Sequence, residues 1–138
     1  MSLRIVESAL AAMHRFAVDG YPHEVCGILA GRRAADGGEV CEVVPLLNER
    51  ADSPQNRYKV GPLLLLRAEE DIEQRGLEIV GYYHSHPDHP SRYSDYDREH
   101  ALPNMSYAIV SVVAGVVSDT ASWRLSEDRT EMHAELIE

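Results

Sequence analysis

The chain has 138 residues, of which 44% are hydrophobic and 26% charged, the profile of a soluble globular protein rather than a disordered one. That length fits a single domain, residues 1–138, able to bury roughly two-thirds of the surface its unfolded form exposes. Thirteen basic against twenty-three acidic side chains give a formal charge of −10, which opposes binding to a phosphate backbone and argues against nucleic acid as a partner.

In chain order, Val6 to Asp19 carries Leu10, Met13, Phe16 and Ala17 at helical spacing and stops at Gly20 with Pro22 beyond it, so a first amphipathic helix is predicted. Val25 to Gly31 reads as a buried strand, and Asp36-Gly37-Gly38 is turn chemistry leading into a second strand, Glu39 to Leu46, which makes a hairpin. Asn48 to Asn56 is polar and contains Pro54, a loop, and Arg57 to Val60 is a short edge strand. Pro62 suits the first turn of a helix that continues from Leu63 to Arg75 and ends at Gly76.

Leu77 to His86 follows as a strand terminated by Pro87, which has no amide hydrogen to give a sheet. Ser94 begins a short helix to Leu102. Tyr107 to Val113 and Ala121 to Ser126 read as antiparallel strands, with Glu131 to Ile137 as a third. Two clusters of strands interleaved with three helices predict a mixed α/β chain, with one largely antiparallel sheet and helices packed on it. The hairpins exclude an all-parallel sheet.

The longest mostly apolar stretch, Tyr107 to Val117, is broken by Ser111 and Gly115 and falls far short of the ~20 residues that span a bilayer. No membrane is expected as a partner. The N-terminus has no basic region followed by an apolar core, so the expected address is cytoplasmic. Cys26 and Cys41 do not form a CxxC pair, which leaves a disulfide framework unsupported and predicts two small buried side chains.

His84 and His86 lie two apart at the end of a predicted strand, where residues i and i+2 project from one face, so both rings can reach one ion. Alone, such a pair is equally two solvated histidines. Asp97 lies eleven residues beyond His86, in the first turn of the predicted helix, where a carboxylate also suits the helix dipole. Ser94-x-x-Asp97 has the form of a capping box. Cap and ligand are compatible roles, because the cap fixes the helix start and thereby aims Asp97.

Two imidazoles and one carboxylate leave the fourth position of a tetrahedral zinc site for water, the mark of a catalytic rather than a structural site. Hydrolysis then needs a group to move the proton, and Glu24, just before a buried apolar strand, is the candidate beside its plainer reading as a loop acid.

Glu24, then His84-Ser85-His86-Pro87, six residues, Ser94 and Asp97 together resemble the JAMM metalloproteases, the catalytic members of the MPN domain group. Glu24-Val25-Cys26-Gly27-Ile28-Leu29-Ala30-Gly31 and the strand before the histidines extend the likeness over most of the chain. The resemblance implies a curved, largely antiparallel mixed sheet flanked by helices, of cytidine-deaminase-like type. It implies one zinc ion held by His84, His86 and Asp97, with Glu24 activating the water and Ser94 helping to hold the oxyanion. No covalent intermediate is required, so Cys26 is expected to be an inert buried thiol.

His14, His23, His89, His100 and His133 have no comparable spacing; only His89, in the loop between the ligands, is placed to touch substrate. Asn48 matches a recurrent asparagine of that family, its role open between a substrate contact and a turn. With only seven residues between His86 and Ser94, the chain resembles compact prokaryotic members, some of which process the C-terminal Gly-Gly tail of small ubiquitin-like sulfur carrier proteins. Such a tail is extended and suits addition to a sheet edge. The competing class is a non-catalytic MPN scaffold, which usually lacks the metal ligands. Zinc-dependent deamination is related in chemistry but requires a Pro-Cys-x-x-Cys that is absent here. Oligomeric state cannot be read from these residues.

Overall fold

The computed structural model describes residues 1–35, 37–48 and 60–138. Most of the expected loop Asn48 to Asn56 and of the expected edge strand Arg57 to Val60 therefore lie outside the described residues. The elements are β1 (Ser2–Ile5), α1 (Glu7–Gly20), β2 (Cys26–Ala34), β3 (Gly37–Leu46), α2 (Pro62–Gln74), β4 (Glu78–Pro87), α3 (Asp95–His100), β5 (Ser106–Val113), β6 (Val116–Leu125) and β7 (Met132–Ile137).

The strands run in the order β1-β3-β2-β4-β5-β6-β7 and close into a barrel, not the curved sheet expected. β1 causes the closure. It pairs in parallel with β3 over Ser2 to Ile5 and again with β7 at Ser2 and Leu3, so the two sheet edges meet through this short strand. The four-residue β1 escaped the sequence reading, although Leu3 and Ile5 are both buried as a period of two requires. The sheet is otherwise mixed as expected, with β2 antiparallel to both β3 and β4, and β4 parallel to β5.

Alternation along β2 divides the interior. Leu29 faces a cluster in which Ala9, Met13 and Ala17 of α1 meet Leu3, Val40, Val80 and Val110. Its neighbours Ile28 and Ala30 face Ile72 of α2 on the opposite side. Each large buried side chain removed from water contributes about 1.5–3 kcal/mol, so the two helices pin the sheet from both faces.

Two local departures have physical causes. β5 ends at Val113, as expected, because Ala114 and Gly115 both adopt left-handed backbone (φ 52° and 82°), the requirement of a tight hairpin turn. β6 therefore starts at Val116, ahead of the expected Ala121. Cys41 is exposed, unlike the buried Cys26; the β2–β3 register skips it, passing from Ala30↔Glu42 to Gly31↔Val40, and a bulged residue is free to turn outward. Among the described residues no helix is long and apolar enough to cross a membrane.

Gly81 sits three residues before His84 and pairs with Ser106 of β5. A Cβ at Gly81 would collide with the Ser106 backbone, so any side chain there pushes β4 and β5 apart. Gly81→Ala is expected to cost about 1–3 kcal/mol in urea unfolding; an unchanged midpoint contradicts this β4–β5 packing.

Candidate metal centre

β4 delivers the two histidines. His84 is 2% exposed and His86 15% exposed at the side chain, both on the face that Tyr82 begins, and their Nε2 atoms lie 3.1 Å apart. β4 continues through Pro87, pairing in parallel with β5 as far as Val112, so both ligand candidates sit within a paired strand rather than in the loop.

α3 delivers the carboxylate. Ser94 is its N-cap: Ser94 Oγ accepts from the Asp97 amide (3.1 Å) and Asp97 Oδ2 accepts from the Ser94 amide (2.8 Å), a complete capping box. The helix itself spans Asp95–His100, shorter than the expected Ser94 to Leu102. With the helix start fixed, Asp97 Oδ1 lies 3.2 Å from His84 Nε2 and Oδ2 3.5 Å from His86 Nε2. One ligand atom from each of His84, His86 and Asp97 falls within 4.8 Å of the others, a group that could hold a metal ion.

The imidazole tautomer is set locally. His86 Nδ1 lies 2.9 Å from the Pro90 carbonyl, which can only accept, so Nδ1 carries the hydrogen and the neutral ring presents a lone pair at Nε2.

Glu24 is buried at 5% exposure, immediately before β2. Its backbone is clamped: the Asn48 side-chain amide donates to the Glu24 carbonyl (3.0 Å), the Val25 amide donates to Ser85 Oγ (2.9 Å), and the Ser85 amide donates to the Val25 carbonyl. Ser85 lies between the two histidines in sequence, so the Glu24 segment is tied to the strand that carries them. Ser94 is exposed, and among the described residues its hydroxyl hydrogen is not committed to an acceptor.

Residues 6–126 match the family model for prokaryotic homologs of the JAB domain. The chain belongs to this family. Membership bears out the resemblance drawn from Glu24, His84-Ser85-His86-Pro87 and Ser94-x-x-Asp97. A "Probable TtuB-protein conjugate cleaving protease" from Thermus thermophilus is 40% identical over 88 residues, which are 64% of this chain and 55% of that protein; the match spans little more than half the relative's length. A desampylase from Haloferax volcanii is 37% identical over 106 residues, 76% of this chain and 74% of that one. The solution structure of a protein from Desulfitobacterium hafniense superposes with a TM-score of 0.83 at 29% identity, covering 99% of this chain and 91% of that one.

In this JAB-domain chain the electrostatics follow from the geometry. For Asp97, burial works against ionisation, but the hydrogen bonds to His84 and His86, the His84 charge and the Ser94 amide together hold it well below the usual carboxylate range. Burial works to lower the His86 pKa, yet the Asp97 hydrogen bond, the Pro90 carbonyl and the charges of Asp97 and Glu24 prevail and raise it. Burial, reinforced by the Glu24 charge, pushes the Cys26 thiol up to about 12, which suppresses the thiolate a nucleophile needs.

Sequence reasoning missed Ser85, whose serine in His-Ser-His carries no sign that it braces the Glu24 segment. It left Asn48 open, and the structure resolves a backbone contact at Glu24. His89 lies in the loop as expected, exposed, and is not part of the metal-holding group.

The His86–Asp97 contact makes stability pH-dependent in the absence of metal. A raised histidine pKa contributes stability that is full below the ordinary 6.5 and lost as the pH climbs through the raised value. A depressed aspartate pKa contributes stability that is full above the ordinary 3.8 and lost as the pH falls through the depressed value. The urea midpoint of metal-free protein is therefore expected to fall as the pH rises above the ordinary histidine value of 6.5, with a flatter profile in His86→Gln. A midpoint that rises over that range contradicts the pairing.

Proposed function

We propose that this chain is a zinc-dependent metallopeptidase or isopeptidase that hydrolyses the bond at the C-terminal Gly-Gly tail of a ubiquitin-like or sulfur carrier protein, with residues 1–138 as its single catalytic domain. The observation that carries the reading is the convergence of His84 Nε2, His86 Nε2 and the Asp97 carboxylate.

The donor set fits zinc. The Nε2–Nε2 separation of 3.1 Å and the 3.2 Å from His84 Nε2 to Asp97 Oδ1 lie close to the edge of about 3.3 Å of a tetrahedron with zinc-ligand bonds near 2.0–2.1 Å. Two nitrogens and a carboxylate are borderline-to-hard donors, and three protein ligands leave a position for water. Once bound, zinc supplies a Lewis acid that polarises the scissile carbonyl and lowers the pKa of water.

Glu24 takes the proton of the attacking water and returns it to the departing amine. Its burial and its charge on His86 support that role, because a desolvated carboxylate is a stronger base than a solvated one. The free Ser94 hydroxyl hydrogen donates to the oxygen on which negative charge develops. A cleft of about 270 Å3 lined by Gly27, Leu46, Tyr82, Tyr96 and Leu102 opens beside Cys26, the strand partner of His84, and receives the extended tail. A Cβ at Gly27 would strike the Tyr83 ring and the Val44 carbonyl, so glycine is required there by the packing of the cleft wall. The relatives support the substrate class: one is designated for cleaving TtuB-protein conjugates and the other is a desampylase.

The test uses a Gly-Gly-terminated sulfur carrier extended by a cysteine, a short peptide or an isopeptide-linked lysine. Glu24→Gln is expected to keep its zinc while turnover falls by a factor on the order of 10²–10⁴; equal turnover removes Glu24 from the mechanism. Purified protein should carry about one equivalent of zinc, lost in His84→Ala, whereas a wild-type chain that binds no zinc favours the scaffold.

A further inference from the structure

The loop that follows β4 is anchored at every step. The Asp88 amide donates to the Val112 carbonyl (2.7 Å). Three successive carbonyls, of His89, Pro90 and Ser91, then accept from Ser111 Oγ (2.6 Å), His86 Nδ1 (2.9 Å) and Trp123 Nε1 (2.9 Å). The middle bond is the one that sets the His86 tautomer, so the path of this loop decides where the His86 lone pair points.

At the head of the loop, Asp88 adopts left-handed backbone with φ 59°, a region that aspartate and asparagine tolerate better than most residues. Its carboxylate is doubly held. The Tyr21 hydroxyl donates to it at 2.7 and 2.9 Å, and the Ala114 amide, in the β5–β6 turn, donates at 2.9 Å. Tyr21 caps the C-terminus of α1 and lies three residues before Glu24, while Asp88 lies two residues after His86. The Tyr21–Asp88 bond therefore spans the rim between the segment that bears the carboxylate base and the segment that bears the ligands. The sheet contacts of Ser85 with Val25 tie the same two segments from within.

We propose that Tyr21 and Asp88 form a positioning clamp, which holds the 88–91 loop so that the Pro90 carbonyl fixes the His86 ring for metal and keeps the Glu24 segment in register with it. Neither residue touches the metal or substrate. The inference rests on the metallopeptidase reading, but its signature is separable from activity: outer-shell partners of a ligating histidine are worth about 10–100-fold in metal affinity, and the His86 tautomer exists without metal.

The experiment measures zinc affinity by competition with a chromophoric chelator for wild type, D88A, D88N, Y21F and Y21F/D88A, together with the 15N spectrum of the His86 ring in metal-free protein. D88A is expected to weaken zinc binding by about tenfold or more and to mix the tautomers of the neutral His86 ring, of which the Pro90 carbonyl selects Nδ1–H in wild type. D88N should restore most of the loss, since its amide oxygen accepts hydrogen bonds and its backbone tolerates the same φ. Y21F should weaken binding less, and adding it to D88A should change nothing further, because both act through one contact. Wild-type affinity and an unchanged tautomer in D88A overturn the clamp, even if the unfolding midpoint drops. Zinc lost in His84→Ala but retained in D88A sinks the clamp alone, whereas a wild-type chain that binds no zinc sinks the metallopeptidase reading.

Discussion

The Asp97 carboxylate serves a helix cap and two imidazoles at the same time. One oxygen closes the capping box on the Ser94 amide and also faces His86, while the other faces His84. Because the cap consumes a hydrogen-bond donor that the helix start would leave unsatisfied, fixing the helix and aiming the carboxylate are the same event. A carboxylate on a free loop would lose rotamer freedom to reach two rings, at a cost of order 1 kcal/mol. Here helix formation has already absorbed that ordering.

The rest of the barrel holds the other half of this meeting in place. β4 is a central strand, flanked by β2 and β5, so neither histidine can slide without breaking two ladders. A slip of one residue would turn both rings to the opposite face. Glu24 enters through the neighbouring strand, and its backbone is held by Asn48, just past the end of β3, and its neighbour Val25 by Ser85 of β4. The two buried acids thus occupy opposed electrostatic settings: Asp97 is locked in its charged form by partners, whereas Glu24 adds negative charge that raises the nearby His86 and Cys26 groups.

What was legible in the sequence was whatever has a short period. The i, i+2 spacing of His84 and His86 and the i, i+3 spacing of Ser94 and Asp97 each encode a local geometry, and both formed as read. The α1 stripe and the β2–β3 hairpin were legible for the same reason, and α2 from its Pro62 start and Gly76 stop. Barrel closure was not, because parallel pairing of Ser2–Ile5 with two distant strands leaves no local mark in four residues. The early start of β6 at Val116 was hidden by an alanine at 114, in a position where asparagine or glycine would have signalled a tight turn. Cys41 turned outward because of a bulge, which depends on the register of two strands rather than on either one. Asn48, Ser85, Tyr21 and Asp88 are polar residues whose partners lie far away in sequence, and their roles exist only once the fold brings Glu24 beside β4.

The central claim is that two imidazoles and one carboxylate from β4 and α3 share a single metal, with no part for the nearby thiol. Zinc K-edge X-ray absorption on the loaded protein addresses it most directly. The predicted result is a first shell of nitrogen and oxygen at about 2.0–2.1 Å, with the outer-shell pattern of two imidazole rings. A sulfur scatterer at about 2.3 Å, or the signature of fewer than two rings, would contradict it.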